Sequence, residues 1–139
     1  MADPVQPTNT AMAVAASALR AQQARMRVIA ENLANADSTS PTPGGDPYRR
    51  KVPVFQAKTV DGAQGVAVSR VASDTSDFRT EYAPGNPSAD AKGYVKLPNV
   101  DPLIEALDMR EAQRAYAANL NVIETAKVMD ARTLDIIKK

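Results

Sequence analysis

The chain has no histidine, no cysteine and no tryptophan, and only two phenylalanines among its 139 residues. Without histidine the commonest general base and metal ligand is missing, and without cysteine the commonest thiol nucleophile, so carboxylates, hydroxyls and amines are all that remain for catalysis. The lack of cysteine also excludes disulfides and thiolate metal sites, and it leaves oxidising and reducing compartments equally open. Charge of one sign is lacking too. With 17 Lys plus Arg against 16 Asp plus Glu, the formal charge is +1, which gives no general attraction to nucleic acid or to an anionic membrane. No run approaches the length of a transmembrane helix, so direct membrane insertion is not expected. Residues Met1, Ala2, Asp3, Pro4, Val5, Gln6 and Pro7 lack the basic start and apolar stretch of a signal peptide. If such a chain leaves the cytoplasm, it does so by a specialised route.

What is present is mostly alanine and helix. Hydrophobic residues make up 44% of the chain but aromatic ones only 4%. Alanine favours helix yet buries little area per residue, so the isolated chain is expected to be only marginally stable. After a flexible lead over 1–9, with Thr8 or Thr10 as helix cap, residues 10–36 contain neither Pro nor Gly and predict a helix about 40 Å long. Met12, Leu19, Met26 and Leu33 recur every seventh residue, with Ala15, Gln22 and Ile29 three places after the first three, which makes an imperfect apolar seam. Asn35, Asp37 and Ser38 to Pro41 supply its stop.

Residues 37–101 predict a loop and a small β-rich insertion. Pro41 to Pro47 cannot continue a helix. Extended candidates follow at Tyr48–Gln56, Gly65–Val71, Phe78–Tyr82 and Tyr94–Leu97, expected as one small antiparallel sheet, and Pro84-Gly85-Asn86-Pro87 reads as a turn. Asp101 then caps a second helix with Pro102 in its first turn, unbroken to about Ile137 and about 54 Å long. Met109, Ala112, Tyr116, Leu120, Ile123, Ala126, Leu134 and Ile137 line one stripe, widened by Ala115, Ala118, Val122, Met129 and Ile136. That face is broader than a two-helix seam requires, which implies contact with other chains.

Candidate chemistry is sparse. Asp108 and Glu111 share a helical turn and read as a solvated face with Arg110 and Arg114. Glu105, near the helix start, reads as a position where loss of charge is nearly silent. The basic run Arg49-Arg50-Lys51 lacks the aromatics of a nucleic-acid site and predicts a strand edge or an intersubunit charge contact. Gly44-Gly45 lacks the lysine and the strand-to-helix context of a phosphate loop. Neither a metal nor another cofactor is expected. Asn119 and Asn121, in mid-helix, are assigned a register role, and Asn32 and Asn35 fit that role or an exposed helix end equally well.

The run Ile29-Ala30-Glu31-Asn32-Leu33-Ala34-Asn35-Ala36-Asp37-Ser38-Thr39 resembles the N-terminal signature of the flagellar rod and hook axial proteins. The Pro-rich stretch Thr42 to Lys51, the segment Asp90 to Asp101 and the segment Met109 to Lys127 resemble the proximal-rod members of that family. Asn86 stands where the resemblance would place a histidine. The resemblance implies an α+β fold, with 10–36 and 102–139 packed as an antiparallel coiled-coil-like pair and 37–101 lying outside it. It further implies a structural subunit that polymerises with copies of itself and with other rod proteins, next to the basal-body rings. Its place would be the periplasmic rod that carries motor torque to hook and filament, reached through the flagellar type III export apparatus without a cleaved signal peptide. The lead before Thr10 would then serve export.

The assembly interface expected from this reading comprises Met26, Ile29, Asn32, Leu33 and Asn35 on the first helix and Tyr48, Arg49, Arg50 and Lys51 after the loop. On the second helix it comprises Met109, Arg110, Arg114, Tyr116, Asn119, Leu120, Asn121 and Ile123. A cytoplasmic helical adaptor would share the two helices but needs neither the β insertion nor the signature. A small hydrolase would require a cleft holding a perturbed carboxylate.

Overall fold

The computed structural model describes residues 7–139. In chain order these form α1 (Pro7–Ala34), β1 (Lys51–Val60), β2 (Ala63–Ser73), β3 (Arg79–Tyr82), β4 (Tyr94–Leu97) and α2 (Pro102–Ile137). This is the expected α+β arrangement of two long terminal helices around a β-rich middle. Helix α1 begins earlier than its sequence suggests. Pro7 sits in the first turn, where its missing N–H costs nothing, and Thr8 and Thr10 lie inside the helix rather than capping it. The rest of the expected N-terminal lead lies outside the described residues.

Helix α1 ends as a polar turn. The Asn35 amide N–H reaches both the Glu31 and the Asn32 carbonyls at 3.2 Å, while its side chain donates to the Glu31 carbonyl at 2.9 Å. Ser38 donates back to the Asn35 carbonyl at 3.0 Å. Last-turn carbonyls that would otherwise be orphaned are satisfied in this way. The Pro-rich loop that follows is fastened to the later turn. Gly44 N–H donates to the Ser88 carbonyl at 3.1 Å, the Ser88 hydroxyl donates to the Ser40 carbonyl, and Lys96 pairs with Asp46 at 3.0 Å.

The middle segment is not one sheet but two. Strands β1 and β2 pair antiparallel, as do β3 and β4, each as a separate two-stranded sheet. The first hairpin turns at Asp61-Gly62, with φ of 48° and 78°, the left-handed pair that a two-residue turn between twisted strands requires. Its register slips between Val54 and Phe55, leaving Ser69 as an extra residue in β2. The Ser69 hydroxyl donates to the Val54 carbonyl at 3.1 Å, which stabilises the bulge. In the second sheet Tyr82 stands opposite Tyr94, their rings edge to face at 5.3 Å.

Helix α2 starts as its sequence predicts. The Asp101 carboxylate accepts from the Leu103 and Ile104 amides at 2.9 and 3.4 Å, with Pro102 in the first turn. The helices run antiparallel, with Asn32 bonded to Glu105 at one end and Pro7, Thr8 and Ala11 beside Asn121 to Met129 at the other. Helix α1 lies between two partners, touching α2 on one side and the β1–β2 hairpin on the other, whereas among the described helices and strands α2 packs against α1 alone. The consequence shows in burial. Ala15, Ser17, Ala21, Val28, Ile29 and Asn32 are buried on the shorter helix, but only Glu105, Ala112 and Ala126 on the longer one.

Candidate assembly surface and polar junction

Most of α2 is open, and its open side carries large apolar residues among the charged ones. Ala112 and Ala126 are buried against α1, and Ile123, three residues before Ala126 on the same helical side, is half-buried. A second stripe lies on the flank, with Val122 at 45%, Met129 at 54% and Ile136 at 75% exposure, recurring every seventh residue. Beside Val122 and Met129 the two helices splay into a groove of about 420 Å³ lined by Pro7, Thr8, Ala11, Asn121, Val122, Thr125, Ala126 and Met129. Further along, Leu134 and Ile137 are also exposed. Exposed apolar residues gathered on one helix flank are the kind of feature that marks interaction sites on soluble proteins.

The other end of the helix pair is polar. The Asn32 side chain donates to the Lys51 carbonyl at 2.8 Å and to the Glu105 carboxylate at 3.1 Å. Its oxygen accepts from the Tyr48 hydroxyl at 2.7 Å and from the Lys51 amide at 2.9 Å. By pairing with both backbone groups of Lys51, the Asn32 amide takes the place of a neighbouring strand at the start of β1. Glu105 is fully buried and accepts from Arg50 Nε. The guanidinium also meets Asp74 at 3.4 Å and Asp108 at 3.7 Å. Burial works against its charge, but the carboxylates of Glu105 and Asp74 outweigh this and raise its pKa above the ordinary arginine value. Burial, together with the charges of Glu31 and Glu105, pushes the Tyr48 phenol up to about 12, so it remains a hydrogen-bond donor.

Of the residues expected at an assembly interface, Asn32, Tyr48, Arg50 and Lys51 come together in this junction, with Lys51 paired to Glu31. Arg49 donates to the Asp74 and Ser76 carbonyls at 2.9 and 3.0 Å and stacks 4.1 Å over Phe78. The basic run is therefore engaged within the chain. Ile29 is buried, while Met26, Leu33, Asn35, Met109 and Tyr116 are half-buried. Arg110, Arg114, Leu120 and Asn121 are exposed.

Several sequence expectations are corrected. Asn119 does not set register within the chain, because its amide donates to the Ala115 carbonyl of its own helix at 2.8 Å, and Asn121 faces the groove. Asn32, by contrast, bonds across to Glu105 of α2. Glu105 is not a tolerant surface position but the buried anion of the junction. Asp108 and Glu111 pair not with Arg110 and Arg114 but across the helices with Arg25, at 3.8 and 3.5 Å. Glu105, Asp74 and Asn99 escaped notice because their partners are distant in sequence. Val122 and Met129 were visible as a widening of the stripe.

Comparison with known proteins agrees with this architecture. Residues 12–40 match the flagella basal body rod protein family, and residues 91–136 match the C-terminal family of the flagellar basal body rod FlgEFG proteins. The chain is 48% identical to the flagellar basal-body rod protein FlgC of Agrobacterium fabrum, over 95% of this chain and 96% of that one. It is 48% identical to that of Escherichia coli over 88% and 92%, and 40% identical to that of Bacillus subtilis over 90% and 95%. With this similarity running through both helices and the segment between them, the chain belongs to the FlgC family of flagellar basal-body rod proteins, structural subunits of the basal body.

Proposed function

We propose that the chain polymerises, with copies of itself and with other rod proteins, into the proximal rod that crosses the periplasm and carries torque outward. The observation that supports this reading is the flank of α2, where Val122, Met129 and Ile136 stay exposed on a helix already paired with α1. No helix among the described residues is long and apolar enough to cross a membrane, and the cover proposed for this flank is other protein. Export through the flagellar type III apparatus without a cleaved signal, and contact with the adjoining rings, belong to the same reading. Among the residues expected at the interface, Leu120, Asn121, Arg110 and Arg114 are free to meet a neighbour. The half-buried Met26, Leu33, Met109, Tyr116 and Ile123 are better assigned to holding the helix pair.

The chain has no cysteine, so a single introduced thiol is unambiguous. A Val122→Cys copy expressed in place of the natural one is expected to resist alkylation by a maleimide in isolated basal bodies and to react readily in the dilute purified chain. Basal bodies from swimming cells in which that thiol stays freely reactive would refute the assignment of this flank.

A further inference from the structure

We propose that Glu105, Arg50 and Asn32 form a latch that makes closure of the two helices conditional on docking of residues 48–51, the segment that leads into the β1–β2 hairpin. This inference concerns the single chain and does not depend on how chains assemble.

Two polar side chains lie fully inside the helix pair at this end, Asn32 at 1% and Glu105 at 0% exposure. They bond to each other only once, at 3.1 Å. Everything else they require comes from one short segment. Asn32 receives the Tyr48 hydroxyl and the Lys51 amide and donates to the Lys51 carbonyl, while Glu105 receives Arg50. If α1 and α2 closed without the segment, the Glu105 carboxylate and most of the Asn32 amide would be left in the helix junction without the partners that satisfy them. Burying an unpaired charge is among the costliest things a core can do. If the segment docked on α1 first, Asn32 would already serve Tyr48 and Lys51, and Arg50 would have Asp74 but lack Glu105. Closure therefore follows docking or accompanies it.

The segment is in turn anchored to the rest of the middle region. The Arg50 amide donates to Asn99 at 2.7 Å, its carbonyl accepts from the Asp74 amide at 2.8 Å, and Asn99 holds the Asp74 and Ser76 carbonyls at 3.1 Å. Asp74 follows the last residue of β2, and Asn99 lies two residues before the cap of α2. The latch thus ties helix register to the position of the hairpin base, so that the hairpin cannot shift while the helix pair stays closed.

The test is a rescue experiment in the full chain, read by amide hydrogen exchange. Arg50→Met is expected to raise exchange at least tenfold in the first turns of α2 (103–109) and the last turns of α1 (28–34), leaving the centre of the pair near Ala112 protected. Adding Glu105→Gln to Arg50→Met removes the stranded charge and is expected to restore most of that protection, whereas independent structural contacts would make the double variant worse than either single one. If Arg50→Met unfolds the chain outright, the double variant is expected to refold it. Unchanged exchange in Arg50→Met, or a double variant no better than the single one, would overturn the latch.

Discussion

Replacing Met129 with aspartate separates assembly from folding. In the single chain the Met129 side chain is 54% exposed, so about half of its apolar surface is still open to water. Full burial of such a side chain is worth roughly 1.5–3 kcal/mol, so covering the open half contributes about 1 kcal/mol to a subunit contact. A carboxylate forced into the same contact without a partner adds a desolvation penalty of about 2 kcal/mol or more. Together these weaken each contact by about 3 kcal/mol, on the order of a hundredfold in affinity, and a polymer repeats that loss at every subunit. The purified Met129→Asp chain is expected to melt within a few degrees of the natural one, yet to be missing from basal bodies by immunoblot and to leave cells non-swimming. Met129→Ala serves as the mild control. Ile123→Asp does not make this separation, because Ile123 is half-buried on the side facing α1 and a carboxylate there opens the helix pair itself. Normal swimming with Met129→Asp, or a monomer destabilised as much as by Ile123→Asp, would refute the reasoning.

Two further outcomes follow from local geometry. Gly93 has φ of 84°, and a Cβ there would lie 2.9 Å from the Tyr82 ring and 3.1 Å from Pro84; Gly93→Ala is expected to cost about 1–3 kcal/mol and to loosen β3–β4 selectively, seen as faster amide exchange over 79–97 with the helices unchanged. The Tyr48 pKa is raised from 10.0 to about 12, so the proton is held more tightly in the folded chain. Its stabilising contribution is complete below pH 10 and is lost as the pH rises through about 12; chemical denaturation should show this alkaline decline in the natural chain, and Tyr48→Phe should lack that component.

Much of the fold was legible because its signals are local. Asp101-Pro102 marks the start of α2 to the residue, and the absence of Pro and Gly carries each helix to its end. The Asp61-Gly62 turn is just as local, and its dipeptide is among the strongest hairpin signals; reading the second strand from Gly65 rather than Ala63 passed over it and hid a ten-residue ladder. The polar junction was not legible in this way. Glu105 meets Arg50 across 55 residues and Asn32 across 73, and nothing in its own neighbourhood distinguishes it from a surface glutamate of a first helical turn. Its burial is a property of the partners that arrive.

The assembly surface lies between these cases. The apolar residues of α2 fall at two helical phases, and the sequence shows their combined breadth without saying which phase α1 takes. Burial gives the answer. Ala112 and Ala126 are buried in the phase that α1 takes, with Met109, Tyr116 and Ile123 half-buried beside them. The phase of Val122, Met129 and Ile136 is left outside. Arg25 agrees with this seating by spanning to Asp108, one turn before Ala112, and to Glu111. Ile123 shares the phase that α1 already occupies, which is why the flank of Val122, Met129 and Ile136, rather than the stripe centred on Ile123, is the one proposed for a neighbour.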